Sequence, residues 1–336
     1  MKRTILSAFA LSVICGVNLS YAQSESRVGV TIYKYDDHFM TQMRKDMQNE
    51  AKGFAGLKWF MNDAQNSQVK QLAQIETLLQ HKMRVLAVNI VNANESKTIV
   101  EKAKAYNVPV VFFNRTPSKQ ALESYEKAYF VSADPKEAGR IQGELIAKVW
   151  KSNPDFDLNK DGKLQFVLLK GEPSDVSAER SQAVVESLNQ QGVQAEEIYS
   201  DTARWRRTLA RNKMNEWLVE NRAAEIEVVI SNNDEMAIGA LDALNAHEKR
   251  LPIFGIDALP ETLALMKKGE IAGTVLNDSS AQAKAVVKLV SNLAQGKPAL
   301  KDTQWESHSS KTIYLPHIGL SNRAVKPRPL GRGYKV

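Results

Sequence analysis

Polar side chains that suit hydrogen bonding follow six predicted strands, at the point where each strand ends. They are Asp37, Asn114, Asp175 with Arg180, Asn233, Asp257 and Asn277. Because ligands of an open α/β sheet bind outside the carboxyl ends of its strands, we expect these side chains to meet in one cleft. Asp and Asn are also common turn formers and helix N-caps, so capping is the alternative role at each single position. The repetition at six strand ends favours a binding site.

These residue types suit a neutral ligand with many hydroxyl groups. A hydroxyl both donates and accepts, and it pairs well with a carboxylate that accepts, an amide that does both and a guanidinium that donates in a fork. A sugar ring also has apolar C–H faces, which pack against flat aromatic side chains. Phe39 and Trp205 are the candidates for two such walls, one from each half of the chain, and core packing is their alternative role.

A second group of residues has the spacing of a calcium-binding loop. Residues 157–165, DLNKDGKLQ, match loop positions 1, 3, 5, 6, 7 and 9, but position 12 is Leu168, within a predicted strand. A remote carboxylate must therefore complete the shell. The predicted ligands of a structural Ca²⁺ are Asp157, Asn159, Asp161, the carbonyl of Lys163, Gln165 and Glu227. An ordinary turn rich in Asp, Asn and Gly is the alternative.

Sequence patterns of catalysis are missing from the chain. The five histidines show no HExxH spacing that would hold zinc, and no GxSxG, Walker A or GxGxxG pattern follows a strand. Paired acids such as Asp36 and Asp37 are expected in a sugar binder as well as in a glycosidase. We therefore expect a binding protein rather than an enzyme, with an exported sugar-acting enzyme as the alternative.

The elements that must position these side chains alternate between short apolar runs and helical patterns. Strands are predicted at residues 28–33, 57–61, 85–90, 108–113, 164–169, 228–231, 253–256 and 273–276. This alternation is typical of βαβ units and parallel sheets, and the continuously apolar strands indicate that helices cover both sheet faces. The prediction is two doubly wound parallel-sheet lobes joined by a three-segment hinge. One lobe comprises residues 23–133 and 278–314, and the other comprises residues 134–277 and 315–322.

The N-terminal residues resemble a signal peptide. A positive start (Lys2, Arg3) precedes an apolar stretch at 5–17 and small residues around Ala22, so cleavage after residue 22 is expected. Removal of residues 1–22 takes away the sole cysteine, Cys15, and lowers the net charge from +7 to +5. We expect residues 323–336 to form a basic, poorly ordered tail. Export argues against nucleic acid as the partner of these basic residues.

Several segments resemble those of the periplasmic D-galactose/D-glucose-binding proteins. They are VGVTIYKYDD at 28–37, VPVVFFN at 108–114, DLNKDG at 157–162, FVLLKGEP at 166–173, NND at 232–234, GIDALP at 255–260 and GTVLND at 273–278. The resemblance implies a type I periplasmic-binding-protein fold that closes on a monosaccharide. It implies a monomer that delivers its sugar to a membrane ABC permease and, in some bacteria, to a chemotaxis receptor. By matched position it assigns the sugar contacts to Asp37, Phe39, Asn114, Arg180, Trp205, Asn233, Asp257 and Asn277, and it assigns the calcium ligands to the same six residues as above.

One segment departs from the family pattern. The family has Gly-His-Pro-Asp after Gly-Glu-Pro. This chain has Ser174-Asp175-Val176-Ser177 there, in a segment that is one residue shorter than in the family and has no histidine. Asp175 is the candidate substitute for one of the lost sugar contacts. Galactose or glucose is the expected ligand, and another hexose, a pentose or a methyl-galactoside remains the alternative. A sugar-responsive transcription regulator shares the lobe pair, but it would need a helix-turn-helix where this chain has its leader.

Overall fold

A computed structural model describes residues 25–305 and 311–322. The predicted signal peptide and the predicted basic tail lie outside these residues. The strands are β1 Ser26–Ile32, β2 Leu57–Asp63, β3 Val85–Val88, β4 Val110–Phe113, β5 Ala128–Ala133, β6 Leu164–Lys170, β7 Ala195–Thr202, β8 Val228–Ser231, β9 Ile253–Asp257, β10 Gly273–Leu276, β11 Thr312–Leu315 and β12 Ile318–Ser321. The helices are α1 His38–Ala51, α2 Gln68–Gln80, α3 Ser96–Ala105, α4 Lys119–Glu123, α5 Pro135–Ser152, α6 Asp175–Gln190, α7 Arg207–Trp217, α8 Asp234–Ala246, α9 Pro260–Lys267 and α10 Ser279–Ala294.

The strands form two six-stranded sheets with the same internal order. The first runs β2-β1-β3-β4-β5-β11, and the second runs β7-β6-β8-β9-β10-β12. All pairings are parallel except that of β10 with β12. The prediction of two α/β lobes is thus confirmed. In each sheet the strand order reverses between the first and third strands of the lobe, which is the switch point where such sheets bind ligands.

The central strands are buried on both faces. Every residue of β3, β4 and β8 is buried, because helices cover both sides of each sheet. Helix α10 packs against α1 and the first sheet, whereas α5 packs against α6 and the second sheet. At Gly139, a methyl group would overlap the carbonyl oxygen of Arg180. The close approach of α5 and α6 that glycine permits there fixes the backbone from which Arg180 extends.

The chain passes between the two sheets at three places. It leaves β5 for α5, leaves β10 for α10, and goes from β11 to β12 through Pro316 and His317. We expected the second lobe to begin again at residue 315, but Leu315 pairs with Ala133 as the last residue of β11. Strand β12 then pairs antiparallel with β10 at the edge of the second sheet.

Candidate functional site

A cavity between the two lobes collects the carboxyl-terminal ends of strands from both sheets. It is lined by Tyr33, Asp37, Phe39, Met40, Asn114, Arg115, Ser174, Val176, Arg180, Trp205, Asn233, Asp257 and Asn277. Eight of the nine residues assigned to a sugar site from the sequence are in this set. The exception is Asp175, which is exposed in the first turn of α6 while its neighbours Ser174 and Val176 line the cavity. The structure therefore places Asp175 outside the lining of this cavity.

The first lobe supplies a carboxylate, an amide and an aromatic ring. Asp37 caps α1, because its Oδ1 accepts a hydrogen bond from the N–H of Met40 at 2.8 Å, and its Oδ2 accepts one from the Tyr33 hydroxyl at 2.6 Å. A carboxylate has lone pairs beyond those two bonds, so capping and ligand binding are compatible. Asn114 follows β4 with a φ of 63°, and its Oδ1 accepts a hydrogen bond from Asn89 at 3.2 Å.

The second lobe supplies a buried cation among amides and a carboxylate. Arg180 is 7% exposed and donates from Nη1 to the carbonyl of Asn232 at 2.8 Å. Its buried Nε has no hydrogen-bond partner among the residues that the structure describes. Asn277 donates to Asp257 Oδ1 at 3.2 Å. The buried guanidinium therefore has unused donor capacity at the cavity.

Burial also shifts the acid–base properties of the cavity. It raises the pKa of Asp257 to about 7, against the opposing effect of the positive charge on Arg180. It lowers the pKa of Arg180, with Asp257 as the main opposing charge. Behind the cavity, burial and then the charge of Asp257 raise the pKa of Asp234 well above its usual value. Hydrogen bonds from a ligand would replace part of the solvation that Asp257 has lost.

Trp205 is held in an unusual local conformation. Arg204 and Trp205 have φ values of 50° and 60°, which are uncommon for residues with a side chain. The indole lies against Gly171, where a methyl group would overlap the ring. The guanidinium of Arg180 lies 5.9 Å from the indole centroid. The turn thus places one flat apolar surface in the cavity, opposite the lobe that carries Phe39.

Three sets of polar contacts join the lobes around the cavity. Glu172 faces Lys34 at 3.7 Å and Arg115 at 3.2 Å, and Asn66 donates to it at 3.5 Å. Arg206 pairs with Asp36 at 3.4 Å. His38 contacts Glu235. These contacts run from one lobe to the other beside the cavity.

Five cavity residues were not assigned to the site from the sequence. They are Tyr33, Met40, Arg115, Ser174 and Val176. Tyr33 and Arg115 adjoin predicted strand ends and could have been included on that signal. Met40 and Val176 could not have been assigned to the site from the sequence, because apolar residues in the first turn of a helix are common in any hydrophobic core.

The residues of the predicted calcium loop are linked by hydrogen bonds. Gln165 donates from its side chain to Asp161 Oδ2 at 2.7 Å and from its backbone to Glu227 Oε2 at 3.0 Å. Asp157 accepts from the N–H groups of Asp161 and Gly162 at 3.1 and 2.9 Å. Glu227 is 1% exposed, and burial raises its pKa to about 7.

The fit of this loop to a cation rests on amide and carbonyl oxygens as well as acids. Within residues 25–305 and 311–322, no group of three or more His, Cys, Asp or Glu side chains is placed to hold a metal. However, the Oε1 of Gln165 is buried and has no hydrogen-bond partner among these residues. An unpaired buried oxygen beside two carboxylates is suitable for a hard cation. The donor set therefore fits Ca²⁺ better than a metal that prefers nitrogen or sulfur.

Comparisons with known proteins agree with this architecture. Residues 28–298 match the periplasmic binding protein domain family. The chain is 52% identical to the D-galactose/methyl-galactoside binding periplasmic protein MglB of Haemophilus influenzae over 322 residues, 95% of this chain and 97% of that protein. It is 26% identical to the ribose import binding protein RbsB of Bacillus subtilis over 279 residues, 83% of this chain and 85% of that protein.

A solved structure gives the same result for the fold. An ABC transporter solute binding protein from Bacillus halodurans with bound myo-inositol superposes with a TM-score of 0.75 at 26% identity, over 91% of this chain and 98% of that chain. None of the helices within the described residues is both long and apolar enough to span a membrane. With a family match over most of its length and a relative at 52% identity, the chain belongs to the periplasmic binding proteins.

Proposed function

We propose that this protein is the substrate-binding component of an ABC sugar importer and that it binds a monosaccharide of the galactose/glucose type between its lobes. The observation that carries the proposal is the composition of the cavity. Asp37 and Asn114 come from one lobe, and Arg180, Asp257 and Asn277 come from the other. Phe39 and Trp205 add an aromatic ring from each side. The name of the relative from Haemophilus influenzae, a D-galactose/methyl-galactoside binding protein, supports this class of ligand.

The mechanism is capture by closure of the lobes, with no bond made or broken. A ligand stabilises the closed form only through contacts that it makes to both lobes at once. Hydroxyl groups of the sugar accept from Arg180, donate to Asp37 and Asp257, and do both with Asn114 and Asn277. The contacts of Glu172 with Lys34 and Arg115 add to the closed state. The closed complex is then the form that a membrane ABC permease recognises.

Cellular location and further partners follow from the same proposal. Residues 1–22 act as a cleaved signal peptide, and the mature chain works in the periplasm as a monomer. The relative from Haemophilus influenzae is a periplasmic protein, which supports this location. Presentation of the bound sugar to a chemotaxis receptor remains a prediction from the family resemblance.

We also propose that the loop at residues 157–165 binds a structural Ca²⁺. Asp157, Asn159, Asp161, the carbonyl of Lys163, Gln165 and Glu227 would hold it. The buried, unpaired Oε1 of Gln165 supports the assignment. The ion would supply positive charge that fixes the loop against the start of β8, and it has no part in sugar binding.

The proposed function is tested by thermal unfolding of residues 23–336 with a panel of sugars. Galactose, glucose, methyl-galactoside, ribose, xylose and arabinose are each added with Ca²⁺ and with a chelator. A ligand at about 100 times its Kd stabilises the folded form by about 2.7 kcal/mol, which is a measurable rise in Tm. Asn277→Ala removes a cavity amide, and Asn245→Ala removes an exposed amide as its control. Loss of the rise only in Asn277→Ala supports the proposal, and no rise with any sugar contradicts it.

A further inference from the structure

The turn that follows strand β9 has an unusual backbone at the point where it carries a carboxylate of the cavity. Asp257 ends β9, and it pairs with Leu276 at the end of β10. Asp257 has a φ of 124° and Ala258 has a φ of 56°, and both values are uncommon for residues with a side chain. Such conformations persist only where the surrounding structure holds them. The contacts that hold this turn therefore fix the backbone from which the Asp257 carboxylate extends.

Two buried side chains outside the cavity lining hold this turn. The hydroxyl of Thr274 accepts a hydrogen bond from the N–H of Ala258 at 3.3 Å and donates one to Asp234 Oδ1 at 2.7 Å. The Oδ2 of Asp234 accepts a hydrogen bond from the N–H of Leu259 at 2.8 Å. Asp234 and Thr274 are both 0% exposed, and neither lines the cavity. The two N–H groups that follow Asp257 are thus bound by one connected pair of side chains.

The sequence position of Asp234 suggests a different role, since it is the first residue of α8. A carboxylate at that place is stabilised by the N-terminus of the helix. However, both of its oxygens accept from groups outside α8, one on β10 and one in the turn after β9. At Gly255 of β9, a methyl group would overlap Asp234 Oδ1, so glycine permits the carboxylate to lie against this strand. The side chain of Asp234 is therefore directed at the turn rather than at its own helix.

We infer that Asp234 and Thr274 are positioning residues of the sugar site, because they hold the turn that directs the carboxylate of Asp257 into the cavity. The inference rests on the proposed function, in which Asp257 accepts a hydrogen bond from a sugar hydroxyl. Loss of the Thr274 hydroxyl leaves the N–H of Ala258 and one oxygen of Asp234 without these partners. Buried polar groups without partners are costly, so the turn then relaxes and moves the carboxylate away from the sugar. The pair acts on affinity through Asp257, without contact to the ligand.

The test is isothermal titration of the mature chain with galactose, for the wild type and two variants of Thr274. Thr274→Val has nearly the same shape without the hydroxyl, and we expect it to weaken galactose binding at least tenfold, about 1.4 kcal/mol. Thr274→Ser keeps the hydroxyl and should stay within threefold of the wild type, whereas a role in packing alone would give the opposite order. Ser187→Ala is the control, because it removes another buried hydroxyl of the second lobe, which donates to the carbonyl of Arg140. This control should lower Tm and leave the galactose affinity within twofold.

A double-mutant cycle separates positioning of Asp257 from a general loosening of the lobe. In an Asp257→Asn background, Thr274→Val should weaken galactose binding less than threefold, because the contact that it positions has already lost its charge. A loss of tenfold or more in both backgrounds would show that Thr274 acts on the whole cavity, and it would overturn the inference.

The remaining outcomes separate the inference from the proposed function. If a folded Thr274→Val binds galactose as tightly as the wild type does, the inference fails and the proposed function stands. If Thr274→Val does not fold, Asp234→Asn takes its place, because it keeps the shape and replaces one acceptor by a donor. It must then show the tenfold loss for the inference to stand. If galactose does not bind the wild type, the proposed ligand fails, and the inference fails with it.

Discussion

Replacement of Asp257 by asparagine should stabilise the sugar-free protein at alkaline pH while it weakens sugar binding. Burial raises the pKa of Asp257 to about 7, and the charges of Asp37 and Glu235 add to the rise. Arg180 and the hydrogen bond from Asn277 oppose it. The carboxylate therefore remains costly to ionise in the folded state. Asparagine has nearly the same shape as the protonated acid and avoids that cost.

The magnitude follows from the difference in pKa between the folded and unfolded states. Between pH 4 and 7 the folded protein binds more protons at Asp257 than the unfolded chain does, so the free energy of unfolding falls as pH rises through this range and levels above pH 7. The pKa rises from 3.8 to about 7. At about 1.36 kcal/mol per pKa unit, the loss approaches about 4 kcal/mol as an upper bound.

The assay is urea unfolding of wild type and Asp257→Asn at pH 5 and pH 8 without ligand. The advantage of Asp257→Asn in the free energy of unfolding should be about 1.6 kcal/mol at pH 5, where the carboxyl of the unfolded chain is already largely ionised, and should approach about 4 kcal/mol at pH 8. Asp302→Asn, at an exposed carboxylate, is the control and should show no pH-dependent difference. Titration with galactose at pH 8 should show about a 10- to 150-fold loss of affinity in Asp257→Asn, because a hydrogen bond to a charged group contributes about 1.5–3 kcal/mol. A stability difference that is the same at both pH values would refute the reasoning.

Three further predictions concern the surroundings of the cavity and the loop. Gly171→Ala should displace the Trp205 ring, because a methyl group overlaps it, and should lower sugar affinity at least tenfold by titration. Gly53→Ala, where an added methyl group meets no atom closer than 3.4 Å, is its control and should leave the affinity unchanged. Glu172→Gln should speed sugar release about tenfold in stopped-flow fluorescence, because the ion pairs with Lys34 and Arg115 join the lobes; an unchanged release rate would show that these pairs do not stabilise closure. Glu227→Gln should remove any rise in Tm on addition of Ca²⁺, and retention of the full rise would contradict the calcium assignment. Glu220→Gln, at an exposed carboxylate, is its control.

The alternating pattern of apolar runs was sufficient to predict the α/β lobes and most of the buried strands. Strands β5, β7, β11 and β12 were not predicted. Strand β7, AEEIYSDT, lies at the edge of its sheet and is mostly polar, so it lacks the apolar signal. Strands β11 and β12 have four residues each, which is too short for a periodic pattern of apolar and polar residues to be recognised. Their position is fixed by the return of the chain between the sheets, which no local pattern reveals.

The cavity lining agrees with the sequence assignments where a residue directly follows a strand. Asn114, Asp257 and Asn277 end a strand or directly follow one, so the sheets bring them to the edge at which the cavity lies. Asp175 was misplaced because it begins a helix after a loop, and a shift of one residue in a first helical turn points the side chain elsewhere.

The most direct test of the account is isothermal titration of the mature protein with galactose. Two variants are titrated in parallel, Trp205→Ala and a double variant that carries Asp37→Ala and Arg180→Met. The account predicts one binding site per chain in the wild type. It predicts weaker binding in Trp205→Ala and no measurable binding in the double variant, which loses one polar contact from each lobe. Undiminished affinity in a folded double variant would contradict the claim that the sugar binds between the lobes.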